Sequence, residues 1–310
     1  MTALAPSVTA DTHVSFPQGA VAGDALVLAT VPVDGPPGTI GVICDRTPFH
    51  PVDHRWPDQP GDHGVLAVAG PDRQLLRATV VDCITGAVAR DQGELAVGTA
   101  IAARRGDPHW YWVVVHVVRV STAEAERSIP AGAVAQLTVD ADRRASLSAA
   151  HTACHLSGLA LNEALSGLWG KAGEHDSRGN PDFDGTALTS STIDVSGFRD
   201  VYRLGRSLRK SGFSVPGLTQ LVPSLGEALT KRVCEMAASG AKVRVVAADS
   251  QLRAPRTWHC ELPDGPVSLA CGGTHPASLA DLASVRISAR IAADGTELLV
   301  VGAVKRNRAN

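Results

Sequence analysis

The rhythm of hydrophobic and polar positions changes near residue 140. Before it, short apolar runs of β type occupy residues 25–31, 39–44, 65–69, 76–81, 94–102, 110–120 and 133–139. Turn clusters separate them, among them Asp34-Gly35-Pro36-Pro37-Gly38 and Ala69-Gly70-Pro71-Asp72. Many short strands with such breaks predict a β-barrel or sandwich. Residues 1–24 read as a loose arm. Residues 48–64 carry four prolines and three histidines and read as a long, ordered loop.

After residue 140 the period lengthens. Leu147, Ala150, Cys154, Leu161, Leu165 and Leu168 recur at helical spacing with no proline between them, which predicts a helix over 146–168. Gly170 and Gly173 end it. Residues 174–192 are polar and loop-like. A second helix is expected over 198–210, stopped by Gly212. A third is expected over 224–239, capped by Ser224 and ended by Gly240. A strand over 242–248, another strand before Cys271, a short helix, and a hairpin of 284–291 and 297–304 about Asp294-Gly295 complete the chain. The expected class is α+β, with residues 1–138 an all-β domain and residues 139–310 an α+β domain.

Composition narrows this only slightly. Hydrophobic residues make up 44% and charged residues 19%, as in a soluble globular protein, and no apolar run reaches the length of a membrane span. No signal peptide is expected from Met1 to Ser7, which lack a basic stretch followed by an apolar one. The six cysteines show no paired spacing, so they read as reduced thiols in a cytoplasmic protein. A net charge of −2 argues mildly against a nucleic-acid binder, although a local basic face still grips phosphate.

The chemistry lies in two separated motifs, His151-Thr152-Ala153-Cys154-His155 and Cys271-Gly272-Gly273-Thr274-His275. Two histidines four apart on a helix project from one face and can share a metal. The glycines permit a tight path that brings Cys271 and His275 together. His151, His155 and Cys271 are the expected firm ligands of a zinc ion, with His275 a fourth ligand or a group behind the ligands. Three protein ligands leave a position for water; four held tightly make a structural site. Either motif alone is most often a pair of ordinary surface or core residues. The metalloprotease motif places a Glu general base after its first histidine; Thr152 stands there instead, which suits an easier bond than a peptide, such as an activated ester.

The two motifs resemble the metal motifs of the alanyl-tRNA synthetase editing domain and its free-standing AlaX-type trans-editing relatives. The resemblance extends to Val139-Asp140-Ala141-Asp142-Arg143-Arg144, to Asp45-Arg46-Thr47-Pro48-Phe49, to Gln59-Pro60-Gly61-Asp62-His63-Gly64 and to the segment 279–287, and covers most of residues 25–304. It implies a translation-type β-barrel followed by a zinc-dependent editing domain. The implied activity is hydrolysis of the ester of a mischarged aminoacyl-tRNA carrying a threonine analogue such as fluorothreonine, or an amino acid of the serine and alanine class. His151, His155, Cys271 and His275 carry over as metal positions, and metal-bound water is the expected nucleophile. Thr152 and Asp194 are candidates to assist it. Thr47, Phe49, His50, Gln59 and Thr274 are candidates for substrate contact. Two departures stand out. The stretch from His50 to Gln59 is longer than the family's loop and lacks its Gly-Gly, and Pro276 replaces an aliphatic residue after the second motif.

Arg199, Arg203, Arg206 and Lys210 fall on one face of the helix expected over 198–210 and are candidates to contact tRNA phosphates. Aminoacyl-tRNA is the expected partner, no membrane is expected, and the protein is expected to be a monomer or homodimer. A tRNA-binding module with a structural zinc and a small-ester metallohydrolase are the competing readings.

Overall fold

The computed structural model describes residues 3–69, 75–120, 129–171 and 173–307. It is a mixed α+β structure, mostly strands with a few helices. The chain divides into two compact units. The first is Met1–Arg144 with Val246–Arg256 and Gly272–Thr274; the second is Ala145–Val245 with Thr257–Cys271 and His275–Asn310.

The first unit contains β1 (Ala3–Leu4), β2 (His13–Val14), β3 (Ala22–Val31), β4 (Thr39–Cys44), β5 (Arg46–Thr47), β6 (Gly64–Ala69), β7 (Leu75–Ala89), β8 (Glu94–Val97), β9 (Trp110–Arg119) and β10 (Val134–Val139). Eight of these form one sheet in the order β1-β8-β7-β6-β10-β3-β4-β9, and a further β7–β9 pairing closes β7, β6, β10, β3, β4 and β9 into a ring. Alternation along the strands gives the ring a buried interior. In β10, Ala135, Leu137 and Val139 are buried while Val134, Gln136 and Thr138 are exposed. The inward set joins Val42, Leu66, Val80, Trp112 and Val118 in one core.

The strand expected over 76–81 runs on to Ala89, and the one expected over 94–102 stops at Val97. The arm expected over 1–24 is instead built into the unit. β2 pairs with β5, β1 pairs with β8, and Val8, Val14 and Phe16 are buried. Its sparse apolar residues serve as plugs rather than as a strand pattern. Of the turn expected at 69–72, residues 70–72 lie outside the described residues.

The segment 48–64 is ordered by a buried ion pair. Arg144 Nε donates to both Asp62 carboxylate oxygens at 2.8 and 2.9 Å, and Arg144 Nη2 donates to the Pro48 carbonyl at 2.8 Å. The His50 N–H donates to the same carboxylate at 2.5 Å, and Arg143 reaches the Gly61 carbonyl at 2.8 Å. Gly61 and Gly64 are required by packing. A Cβ on the first would strike the Cys83 carbonyl, and one on the second would strike that of Thr138.

The second unit holds α1 (Ala141–Leu165, whose first four residues belong to the first unit), α2 (Phe183–Ala187), β11 (Leu188–Asp194), β12 (Gly197–Arg203), α3 (Arg206–Lys210) and α4 (Val215–Ala238). It continues through β13 (Val243–Ala247), β14 (Arg256–Leu262), β15 (Gly265–Ala270), β16 (Leu282–Ile291) and β17 (Glu297–Arg306). One sheet has the order β11-β12-β17-β16 and another β13-β14-β15. Asp140 caps α1, accepting the Arg143 N–H at 3.0 Å. Leu147, Ala150, Leu156 and Leu161 of α1 share a core with Phe198, Tyr202, Leu298 and Val300. α4 masks the edge of β16, where the Ile287 N–H donates to Thr230 Oγ1 at 2.8 Å.

Three sequence expectations are corrected here. Residues 198–210 are not one helix. Residues 197–203 pair with β11 on one side and β17 on the other to make β12, with Phe198, Asp200 and Tyr202 buried on one face and Arg199 and Arg203 exposed on the other around the buried Val201, and Gly205 separates it from the short α3. Residues 174–192 are not all loop, since α2 and much of β11 lie there. The helix expected from Ser224 begins at Val215 with Ser214 as its cap and runs through Pro223. Leu218, Leu225, Leu229, Val233 and Met236 keep one face buried on both sides of that proline. Continuous burial outweighs one missing hydrogen bond.

Replacing Asp62 by Asn is expected to lower stability by about 3–5 kcal/mol, because it strands the Arg144 charge in a buried site. Urea unfolding of the variant measures it; a loss below about 1 kcal/mol would show that the pair is solvated.

Candidate metal centre

Four side chains of the second unit converge. His151, His155, Cys271 and His275 each present one ligand atom, and these atoms all lie within 4.8 Å of one another. Cys271 Sγ is 3.5 Å from His151 Nε2 and 3.3 Å from His275 Nε2. The imidazole pairs have centroids 4.6 to 5.1 Å apart. α1 supplies two ligands because residues four apart are one turn apart. The loop after β15 supplies the other two, and Gly272 makes its turn without entering the left-handed region.

The donor set fits a metal ion. Around a tetrahedral ion with bonds of about 2.0–2.3 Å, neighbouring donors stand about 3.3–3.8 Å apart, as the cysteine contacts do. Burial pushes His151 down to about 4, and burial followed by the neighbouring His151 holds His155 well below the ordinary histidine range. Both rings are therefore neutral at pH 7, the form that ligates. His155 Nε2 is a buried nitrogen with no hydrogen-bond partner among the described residues. A cation at the cluster would satisfy it. Three imidazoles and a thiolate favour zinc over hard cations that prefer oxygen.

Thr152 does not line the cluster with its neighbours. Its fully buried hydroxyl lies 2.8 Å from His275 Nδ1. With Nε2 turned toward the other ligands, Nδ1 carries the proton and Thr152 Oγ1 accepts it. That contact selects the tautomer and fixes the ring plane, as groups behind metal ligands commonly do. Trp258 of β14, absent from the sequence reading, packs 5.1 Å from His155 and 5.9 Å from His275 between ring centroids. Only its place among alternating buried residues, with Cys260 and Leu262, signalled it. Cys154 stands between the two histidines in sequence but turns away from them. Its Sγ lies 3.3 Å from an Asp200 carboxylate oxygen and 3.7 Å from Ser191 Oγ, and burial then Asp200 hold its thiol protonated.

No protein-family model and no curated protein matches this sequence. The centre is therefore read from its own geometry.

The remaining candidates fall in several places. Asp194 ends β11, where its carboxylate accepts from the Ser196 hydroxyl and from the N–H groups of Ser196 and Gly197. Those bonds, the Ser196 hydroxyl foremost, hold it below the usual carboxylate range. In the first unit, Thr47 and Phe49 are buried structural residues. The His116 Nδ1–H donates to the Val42 carbonyl at 2.9 Å, and burial keeps that ring neutral, with a pKa of about 4. Its Nε2 is then an acceptor, so Thr47 Oγ1 donates to it at 2.8 Å and accepts the Phe49 N–H at 3.0 Å. His50 is buried with its ring edge-on to Phe16. Gln59 is fully buried and clamps Thr274 at two points. Its amide donates to Thr274 Oγ1 at 2.8 Å and accepts the Thr274 N–H at 3.0 Å, both residues belonging to the first unit. Arg199 and Arg203 are exposed on β12, while Arg206 and Lys210 are exposed on α3, so the four do not form one helical face.

The purified protein is expected to carry about one equivalent of zinc, lost when Cys271 is replaced by Ser; elemental analysis decides, and an empty wild-type protein after refolding with zinc would refute the site. Thr152→Val is expected to weaken zinc affinity about 10–100-fold with unchanged circular dichroism, because it removes the acceptor behind His275. Competition with a chelating dye measures this, and equal affinities would assign Thr152 to packing alone.

Proposed function

We propose that the protein is a metal-dependent deacylase acting on the ester of a mischarged aminoacyl-tRNA. The observation that carries the reading is the convergence of the helical His151/His155 pair with the Cys271/His275 loop into one donor cluster. The resemblance of those two motifs to the tRNA-editing family supplies the substrate class.

His151, His155, Cys271 and His275 would hold zinc, which when bound polarises an ester carbonyl and makes water acidic enough to attack it near neutral pH. The chain's own residues do the rest. Burial keeps His151 and His155 neutral and ready to ligate. Thr152 favours the His275 tautomer whose unprotonated Nε2 faces Cys271 and the other candidate ligands. Trp258 covers the histidine cluster with an apolar wall. An aminoacyl ester is easier to cleave than a peptide, which suits a site with no glutamate beside its first histidine. Threonine-like and serine-like substrates differ by one methyl, a discrimination worth about 1–3 kcal/mol.

One observation favours a second reading. Four donors this close can fill a tetrahedral shell by themselves, as in a structural zinc site that only holds a tRNA-binding module together.

Deacylation of alanyl-, seryl-, threonyl- and fluorothreonyl-tRNA separates the two. The deacylase is expected to release at least one of these amino acids, and His151→Ala or removal of zinc is expected to slow it by at least about a hundredfold. Undiminished hydrolysis without metal would sink the mechanism, and no turnover on the panel with metal bound would favour the structural reading.

A further inference from the structure

The four-stranded sheet of the second unit has two unlike faces. Antiparallel register places Thr192, Arg199, Val301 and Ser288 in one row across β11, β12, β17 and β16. Their side chains share a face, because residues paired across a sheet point the same way. The neighbouring rows put Arg203, Arg286, Arg290 and Lys305 on that face as well, around the buried Val201 and Leu299. The opposite face, with Phe198, Tyr202, Leu298, Val300 and Ile287, is core. All five cations are exposed, and none forms an ion pair or hydrogen bond among the described residues. The only acids in these rows are Glu297, opposite Arg203, and Asp194, whose carboxylate is engaged by its turn. Five cations against two carboxylates is a marked local excess in a chain whose net charge is −2.

We propose that this sheet face is the surface on which the protein carries RNA, by its phosphate backbone. From the row of Arg203 to that of Lys305 is eight residues along β17, roughly 27 Å, and from β12 to β16 is two strand spacings, about 10 Å. The cations are dispersed over this area and do not converge on one point, so they match repeated charges on a polymer rather than a small anion. On the scale of B-form DNA, about 3.4 Å of axis per nucleotide, the patch is several phosphate spacings long. Thr192 and Ser288 add hydroxyl donors among the arginines. The rows carry no aromatic side chain on which a base could stack, so contact is with phosphates and is indifferent to sequence. Val301 is the one exposed large apolar residue in these rows, which is too little for insertion into a lipid surface. The choice of RNA among polyanions rests on the proposed function; the location of the surface does not.

The test is fluorescence anisotropy of the full zinc-loaded protein with an uncharged tRNA, at about 50 and about 200 mM KCl. Binding should weaken steeply with salt, by about 0.7–0.9 in log affinity per log salt for each phosphate neutralised. Arg199→Glu with Arg286→Glu and Arg290→Glu should weaken it at least tenfold and lower that slope by about 2–3. Circular dichroism and zinc content show whether the variant is folded, and the milder triple change to Gln should give an intermediate loss. Arg206→Glu with Lys210→Glu on α3 should change affinity less than threefold. Tight binding that survives the triple reversal would overturn the proposal, as would absence of binding at the lower salt. Anionic vesicles captured as well as tRNA and released by the same variant would reassign the face to lipid and equally overturn it. If tRNA binds through this face and no ester on the panel is cleaved, the surface stands and the deacylase falls. If esters are cleaved at a rate indifferent to salt and to the triple reversal, the reverse holds.

Discussion

The first unit depends on one buried ion pair. Taking a carboxylate and a guanidinium out of water costs several kcal/mol each, which only dense hydrogen bonding offsets. Asp62 and Arg144 meet that condition: Arg144 bonds both carboxylate oxygens and the Pro48 carbonyl, and Asp62 also accepts the His50 N–H. Both ends of the 48–64 segment are thereby tied to the start of α1. His151 and His155 follow Arg144 by seven and eleven residues, close to two and three full turns, so all three lie on one face. Asp140 caps the same first turn, accepting the Arg143 N–H.

The metal centre follows from a second constraint, the cost of burying imidazoles. A charged histidine resists burial, so His151 and His155 are neutral, and neutral rings bring lone pairs that need partners. For His155 Nε2 no protein donor is present among the described residues. A cation is the partner that answers several such lone pairs at one point. Thr152 then completes the arrangement from behind. It is adjacent to His151 in sequence, hence about 100° around the helix, and from there it reaches the far nitrogen of His275. One turn of α1 thus supplies two candidate ligands and the group that orients a third.

What was legible in the sequence divides by the physics of the signal. The β-rich first half and the long helix carrying the histidines show clean periods, and the strand over Thr39–Cys44 has the bounds its pattern predicts. The four candidate ligands were legible because each pair has spacing that one metal can use, and the structure clusters all four. The errors share a cause. Residues 1–24 contain too few apolar positions to show a period, yet Val8, Val14 and Phe16 each fill a buried site that only the folded ring creates. Ser224 read as a helix cap because its type favours that place, while buried Leu218 and Leu225 on either side of Pro223 carry the helix through both residues. Roles were harder to read than places. Thr47 and Gln59 are polar residues in motifs, and polarity alone does not distinguish a substrate contact from a bond to His116 or Thr274.

The segment 198–210 shows how one ambiguity changes a functional reading. Residues four apart share a face on a helix and also on a strand, so Arg199 and Arg203 look alike under either period. What decides is the residues between them. Phe198 and Tyr202 would share a helix face as well, but Asp200, buried between them, would point to the opposite side, and the segment pairs instead along its length with β11 and β17. On a strand all three share one face, and the arginines share the other with the buried Val201 between them. The consequence reaches beyond this segment, because a helix would have gathered its charges into a ridge drawn from local sequence alone. A strand adds its charges to those of its neighbours, so Arg199 acquires company from Arg286, Arg290 and Lys305, nearly a hundred residues away. A basic surface made this way leaves no run in the sequence and no mark on the net charge, and only the register of the sheet brings it into being.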